Sequence, residues 1–166
     1  MATAPRKPAR KNRTPSAPTG DSSHGTALLE RSDVRTILLD LAQQLAPADV
    51  ASLMAHEQVL RTTANHLPSP RLALLRDQLQ MALDCLRDHV SGRCPQIPLF
   101  TISLLAAAVS YFGCANDVIP DFLPRIGRLD DAAVMALAFH LGQDGIRRYC
   151  AATGRTAEVV FVADQG

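Results

Sequence analysis

Residues Pro98–Ala115 read PLFTISLLAAAVSYFGCA, and residues Asn116–Asp131 read NDVIPDFLPRIGRLDD. The first stretch holds no charged side chain. At ~1.5 Å per residue its eighteen residues would make a helix roughly 27 Å long, at the threshold for crossing a hydrocarbon core. Ala106, Ala107, Ala108 and Gly113 allow close helix packing, and Thr101, Ser103 and Ser110 offer hydroxyls to a partner or to the helix's own carbonyls. Two environments suit such a segment: the centre of a helical bundle, or a membrane. The second stretch packs Asp117, Asp121, Asp130 and Asp131, two prolines and Gly127 between this run and another apolar run, AAVMALAFHL, at Ala132–Leu141. Ten residues are too few to span a bilayer. The pattern is helix, acidic corner, helix, which leaves room for partial insertion but not for two spans.

The corner residues each have a structural use. Asn116 or Asp117 can cap a short turn. Pro120 fixes its own φ and biases Ile119 away from the helical region, Pro124 limits any helix after Asp121, and Gly127 permits a positive φ. Asp130 stands at the N-cap position of the next helix and Asp131 in its first turn, near the positive end of the helix dipole. Arg125 and Arg128 are available as partners. The functional alternative is that Asp117, Asp121, Asp130 and Asp131 converge on Mg²⁺ or Ca²⁺, which prefer carboxylate oxygens. Their spacing is not that of an EF-hand, and no P-loop or nucleophile elbow accompanies it. No cofactor is expected.

The rest of the chain reads as helices. Val34, Ile37, Leu38, Leu41 and Leu45 follow helical spacing, with Ser32 or Asp33 as candidate caps. Pro47 suits the first position of a second helix, and Val50, Leu53, Met54, Val59 and Leu60 carry an apolar face on to Asn65. His56–Glu57 lacks the second histidine of a zincin motif. Ser69 and Pro70 suit the start of a third helix with Leu72, Leu75, Leu79, Ala82, Leu86 and Val90 on one face, and Gly92 suits its stop. The last apolar helix is expected to run through Ile146 and Tyr149 to about Ala152. Glu158–Ala163 is β-leaning and isolated, a short docked tail.

Composition agrees with an aliphatic, all-α core. Hydrophobic residues make up 47% of the 166, charged residues 20%, aromatics 4%, and there is no tryptophan. Five of the 17 basic residues (Arg6, Lys7, Arg10, Lys11 and Arg13) lie in the first twenty positions, which contain no acid. That leaves 12 basic residues against 16 acidic ones in the remainder. The Pro/Ser-rich residues 1–25 are expected to be disordered, because they offer little apolar surface to offset ordering entropy. Their charge suits an anionic surface. The acidic body is a poor match for nucleic acid. Cys85, Cys94, Cys114 and Cys150 form no C-x-x-C pair, and no secretory leader precedes them, which points to reduced thiols in a cytoplasmic or cytoplasmic-membrane setting. Cys85, His89 and Cys94 form only a partial zinc set, without an evident fourth ligand.

The stretch from Tyr111 to Ala138 resembles the signature of the YkvA-like bacterial proteins, a domain of unknown function (1232). Tyr111, Asp117, Ile119, Pro120, Asp121, Phe122, Pro124, Gly127, Asp130 and Asp131 match its pattern. The likeness extends plausibly back to about Leu72 and does not cover residues 1–66. Ala115 stands where the family usually has proline, and Arg128 where an apolar or aromatic residue is usual. The resemblance implies a small helical protein, often membrane-associated, with no known activity.

The expected architecture is therefore a small all-α bundle. A tail (1–25) precedes a helical domain (26–155) built on the helix–corner–helix hairpin, and a short segment (156–166) follows. The expected role is a non-enzymatic module that binds a membrane or a protein partner. The competing readings are a metal-dependent hydrolase using the four aspartates, and a soluble adaptor whose basic tail contacts nucleic acid. The candidate functional corner is Asp117, Pro120, Asp121, Pro124, Gly127, Asp130 and Asp131.

Overall fold

The structure is a computed structural model that describes residues 23–68, 72–94, 96–115 and 131–161, with side chains from Val34 onward. Seven helices and no strand occur among the described residues: α1 (Ser23–Gln44), α2 (Pro47–Met54), α3 (Glu57–Asn65), α4 (Ala73–Val90), α5 (Leu99–Ala115), α6 (Asp131–Leu141) and α7 (Gln143–Thr153).

The uncharged stretch forms α5, and α5 is the centre of the bundle. It packs against α1, α4 and α6. Leu104, Leu105, Ala106, Ala107, Ala108 and Val109 are all at most 1% exposed. A helix apolar on every side must be covered on every side, and here the cover is protein. Among the described residues no helix is long and apolar enough to cross a membrane. The bundle-centre environment is the one realised.

The amphipathic α4 supplies the second layer. It turns Leu75, Leu79, Ala82, Leu83, Cys85 and Leu86 inward, while Arg76, Asp77, Asp84, Arg87 and Asp88 lie off that face. Gly92, at φ +71°, lets the chain turn back so that Arg93 N–H donates to the Asp88 carbonyl at 2.9 Å. Pro47 occupies the first turn of α2, where Asp49 accepts from the Ala46 N–H at 2.8 Å.

Several local expectations need correction. Ser32 and Asp33 lie inside α1, which begins at Ser23, so they cap nothing. The apolar face from Val50 to Asn65 is two helices, because the end of α2 tightens into i→i−3 bonds (Ala55 to Ser52, 3.2 Å; His56 to Leu53, 3.0 Å) before α3 restarts. α4 begins at Ala73 with Leu72 as its N-cap, and Ser69 and Pro70 lie outside the described residues. Val90, expected on the buried face, is exposed because it is the last residue of its helix. The final helix breaks at Gly142 into α6 and α7. The C-terminal segment docks without forming a strand. Val160 is buried, its carbonyl accepts from the buried Gln78 side chain at 2.9 Å, and Phe161 meets Phe139 edge-on and lies under Arg147.

The break at Gly142 sends α7 across the start of α5. A Cβ added at Gly145 would lie 2.8 Å from Thr101 Cβ and 2.9 Å from Thr101 Cγ2, with Thr101 itself buried. Substituting Gly145→Ala is expected to lower stability by about 1–3 kcal/mol through overpacking, despite alanine's better helix propensity. Thermal or urea unfolding measures it, and an unchanged midpoint would mean that the crossing is looser than described.

Candidate functional site

The corner is framed by α5 and α6, which pack along each other and fix its two ends at Ala115 and Asp131. Asp117, Pro120, Asp121, Pro124, Gly127 and Asp130 lie outside the described residues. Asp131 is the first residue of α6, half-buried, where its carboxylate meets the positive end of the helix. Tyr111 and Phe112, near the end of α5, are buried. The described structure thus fixes the two jaws of the corner.

A second polar assembly lies on the outer face of α4. Arg61 of α3 donates to Glu57 at 2.8 Å, to Gln80 at 2.5 Å and to Asp84 at 2.7 Å. Arg87 reaches Glu57 at 3.2 Å and Asp84 at 3.0 Å. Arg155, just past α7, donates to the other oxygen of Asp84. Asp88 pairs with Arg93 at 2.8 Å and accepts from the Tyr149 hydroxyl, also at 2.8 Å. The Arg155 guanidinium also lies 5.7 Å from the centre of the Tyr149 ring. Asp84 and Asp88 are therefore the posts that tie α3 and α7 to α4.

This arrangement ties α3 and α7 to α4. The carboxylates are taken up by guanidiniums and a phenol, which leaves them poorly placed to act as bases or metal ligands. Among the described residues no group of three His, Cys, Asp or Glu side chains could hold a metal ion. Two thiols beneath are held in their protonated form. Burial, reinforced by Cys94, Asp88, Cys150 and Asp84, pushes the Cys85 thiol up to about 12. Burial also raises Cys150, against the opposing charges of Arg155 and Arg147. Tyr149 is raised by burial and by its bond to Asp88. Burial opposes the charge on Arg155, but Asp84, Tyr149 and Asp88 together more than offset this and hold its proton more firmly. All four cysteines are free, and Cys85, Cys94 and Cys150 are buried.

Sequence reasoning set out the apolar face of α4 but missed the assembly on its other side. Part of it was legible: Glu57 and Arg61 stand four apart, Asp84 and Arg87 three apart. The contributions of Tyr149 and Arg155, 61 and 71 residues from their partners, depend on where α7 crosses.

Residues 101–137 match the family described as "Protein of unknown function (DUF1232)". That segment is most of α5, the corner and the first half of α6. The chain carries a YkvA-like DUF1232 segment. A 64-residue stretch, 39% of this chain, is 38% identical to the "Uncharacterized membrane protein YkvA" of Bacillus subtilis (strain 168). The match spans 60% of that relative's length. No solved structure gives a significant match.

Two measurements test the α4 assembly. Asp84→Ala removes the shared acceptor of three guanidiniums and is expected to cost about 2–3 kcal/mol, within the range for charged hydrogen bonds of partly buried groups. For alkaline pH the sign follows from the protonated thiols. The unfolded Cys85 ionises near its ordinary value of 9.0, whereas the folded one holds its proton to about 12. The unfolded state therefore binds fewer protons across that window, and stability falls as pH rises through it, by up to about 1.4 kcal/mol per pH unit for this group. Urea titrations at pH 8 and pH 10 should show the loss, and Cys85→Ala should reduce its slope. Equal slopes would mean that Cys85 is not the titrating group.

Proposed function

We propose that this chain is a non-enzymatic, membrane-associated helical module that lies against a bilayer rather than spanning it. The observation that carries this reading is the 64-residue likeness to a protein named for the membrane, in a chain whose α5 is enclosed by its own helices. If the segment brings a module to the membrane, it does so without giving up α5 to the lipid. The basic residues Arg6, Lys7, Arg10, Lys11 and Arg13 are the part suited to an anionic headgroup layer.

Fractionation of cells producing the full chain tests the proposal. The protein should sediment with membranes and be released by an alkaline carbonate wash, as a peripheral protein is. Retention after the wash would mean that a segment is embedded. Recovery in the soluble fraction alone would refute membrane association. Titration of Mg²⁺ and Ca²⁺ into the chain tests the competing hydrolase reading. The expected result is no saturable heat and no change in melting temperature, because a ligand that binds only the native state must raise it.

A further inference from the structure

We infer that the junction between α4 and α5 is the part of the chain that enters the lipid, with Leu99 and Phe100 as a shallow apolar wedge and arginines around it. The inference deepens the membrane reading above and rests on it. Leu99 is 69% exposed and Phe100 55% exposed. From Thr101 onward α5 turns inward, so the exposed pair is the end of an otherwise enclosed helix. Val90, at the other end of the same short connection, is also exposed.

This exposure is held in place. Between the two helices Cys94 and Ile97 are buried, and the N–H groups of Arg93 and Cys94 donate to the Asp88 carbonyl at 2.9 and 3.3 Å. The anchors clamp the connection to the bundle and leave Leu99 and Phe100 proud of it. An adjacent apolar pair held outside the core is suited to an apolar environment beyond it.

Charge and size indicate the occupant. The connection from Ser91 to Pro98 carries Arg93 and no acid. Arg93 has its side chain 61% exposed while it pairs with Asp88. α7 lies beside this end, with Gly145 against Thr101, and it exposes Arg148 and also Arg147, whose guanidinium stacks on Phe161. Asp144 is the exposed acid in the first turn of α7, so the end is basic by a small margin. Two or three apolar side chains are far too little for a stable protein interface, which takes roughly 800 Å² per partner. They are enough for shallow insertion, where acyl chains take the apolar groups and anionic headgroups take the arginines.

The chain has no tryptophan, so Phe100→Trp introduces a sole reporter at the wedge. Thr62→Trp, on the exposed side of α3, is the comparison. Each full-length variant is mixed with phosphatidylcholine vesicles, with and without phosphatidylglycerol, some carrying brominated acyl chains. The expected result is a blue shift and bromine quenching for the Phe100 reporter on anionic vesicles, with neither for Thr62. Leu99→Ser/Phe100→Ser should weaken co-sedimentation with anionic vesicles at least about tenfold, with an unchanged melting temperature. Binding to vesicles without a response at Phe100 would overturn the wedge and leave membrane association standing. Equal binding to neutral and anionic vesicles would overturn the role of the arginines. A concentration-dependent blue shift in the absence of lipid would make a second copy of the chain the occupant. Failure of the full chain to bind either vesicle would overturn both this inference and the membrane reading.

Discussion

An uncharged helix imposes a demand that the rest of this bundle meets. From Thr101 to Phe112, α5 presents almost nothing that water can solvate, so it needs neighbours around its whole circumference. α1, α4 and α6 provide them. The alanines at 106–108 permit close approach, and the crossing of α7 at Gly145 seals the end near Thr101. At about 25 cal/mol per Å² of apolar surface removed from water, this enclosure is the main favourable term available to a chain so poor in aromatics.

The polar face of α4 answers a different demand. Apolar burial is non-directional and leaves neighbouring helices free to slide, whereas an arginine on a carboxylate specifies position. Asp84 gathers guanidiniums from α3, from its own helix and from the end of α7, while Asp88 holds Arg93 and the Tyr149 hydroxyl. Such half-exposed pairs add modest stability individually. As a set they fix where α3 and α7 lie against α4. Because Arg93 also heads the connection to α5, the assembly helps to set how Leu99 and Phe100 are presented.

The features that repeat locally were legible in the sequence. Charge-free length marked α5, three-and-four spacing marked α4, and the prolines and glycines marked Pro47 and Gly92 as boundaries. What was not legible depended on tertiary direction. Nothing in AAVMALAFHLGQDGIRRYC says that Gly142 and Gly145 must lie close against Thr101, a residue of another helix. Nothing near Ser32 or Asp33 says that α1 starts nine residues or more earlier. Both are good capping residues that the helix runs through. The exposure of Leu99 and Phe100 was hidden for the opposite reason. They belong to the same uncharged run as Leu104 and Leu105, and hydropathy gives the whole run one character. Of the candidate corner, only Asp131 falls within the described residues, at the helix start where the sequence placed it.

That uniform character conceals a division of labour within α5. The family match begins at Thr101, where burial begins, and runs through the enclosed helix and the corner into α6. Within α5 the shared segment is thus the part whose apolar residues face protein. Leu99 and Phe100 stand just before it, on the exposed turn. A helix meant for the bilayer interior would keep its apolar residues outward along its length, and α5 keeps them outward only at one end. The same run of hydrophobic sequence therefore carries two instructions: eleven or more residues organise a core, and the two that precede them face outward, beyond the reach of that core.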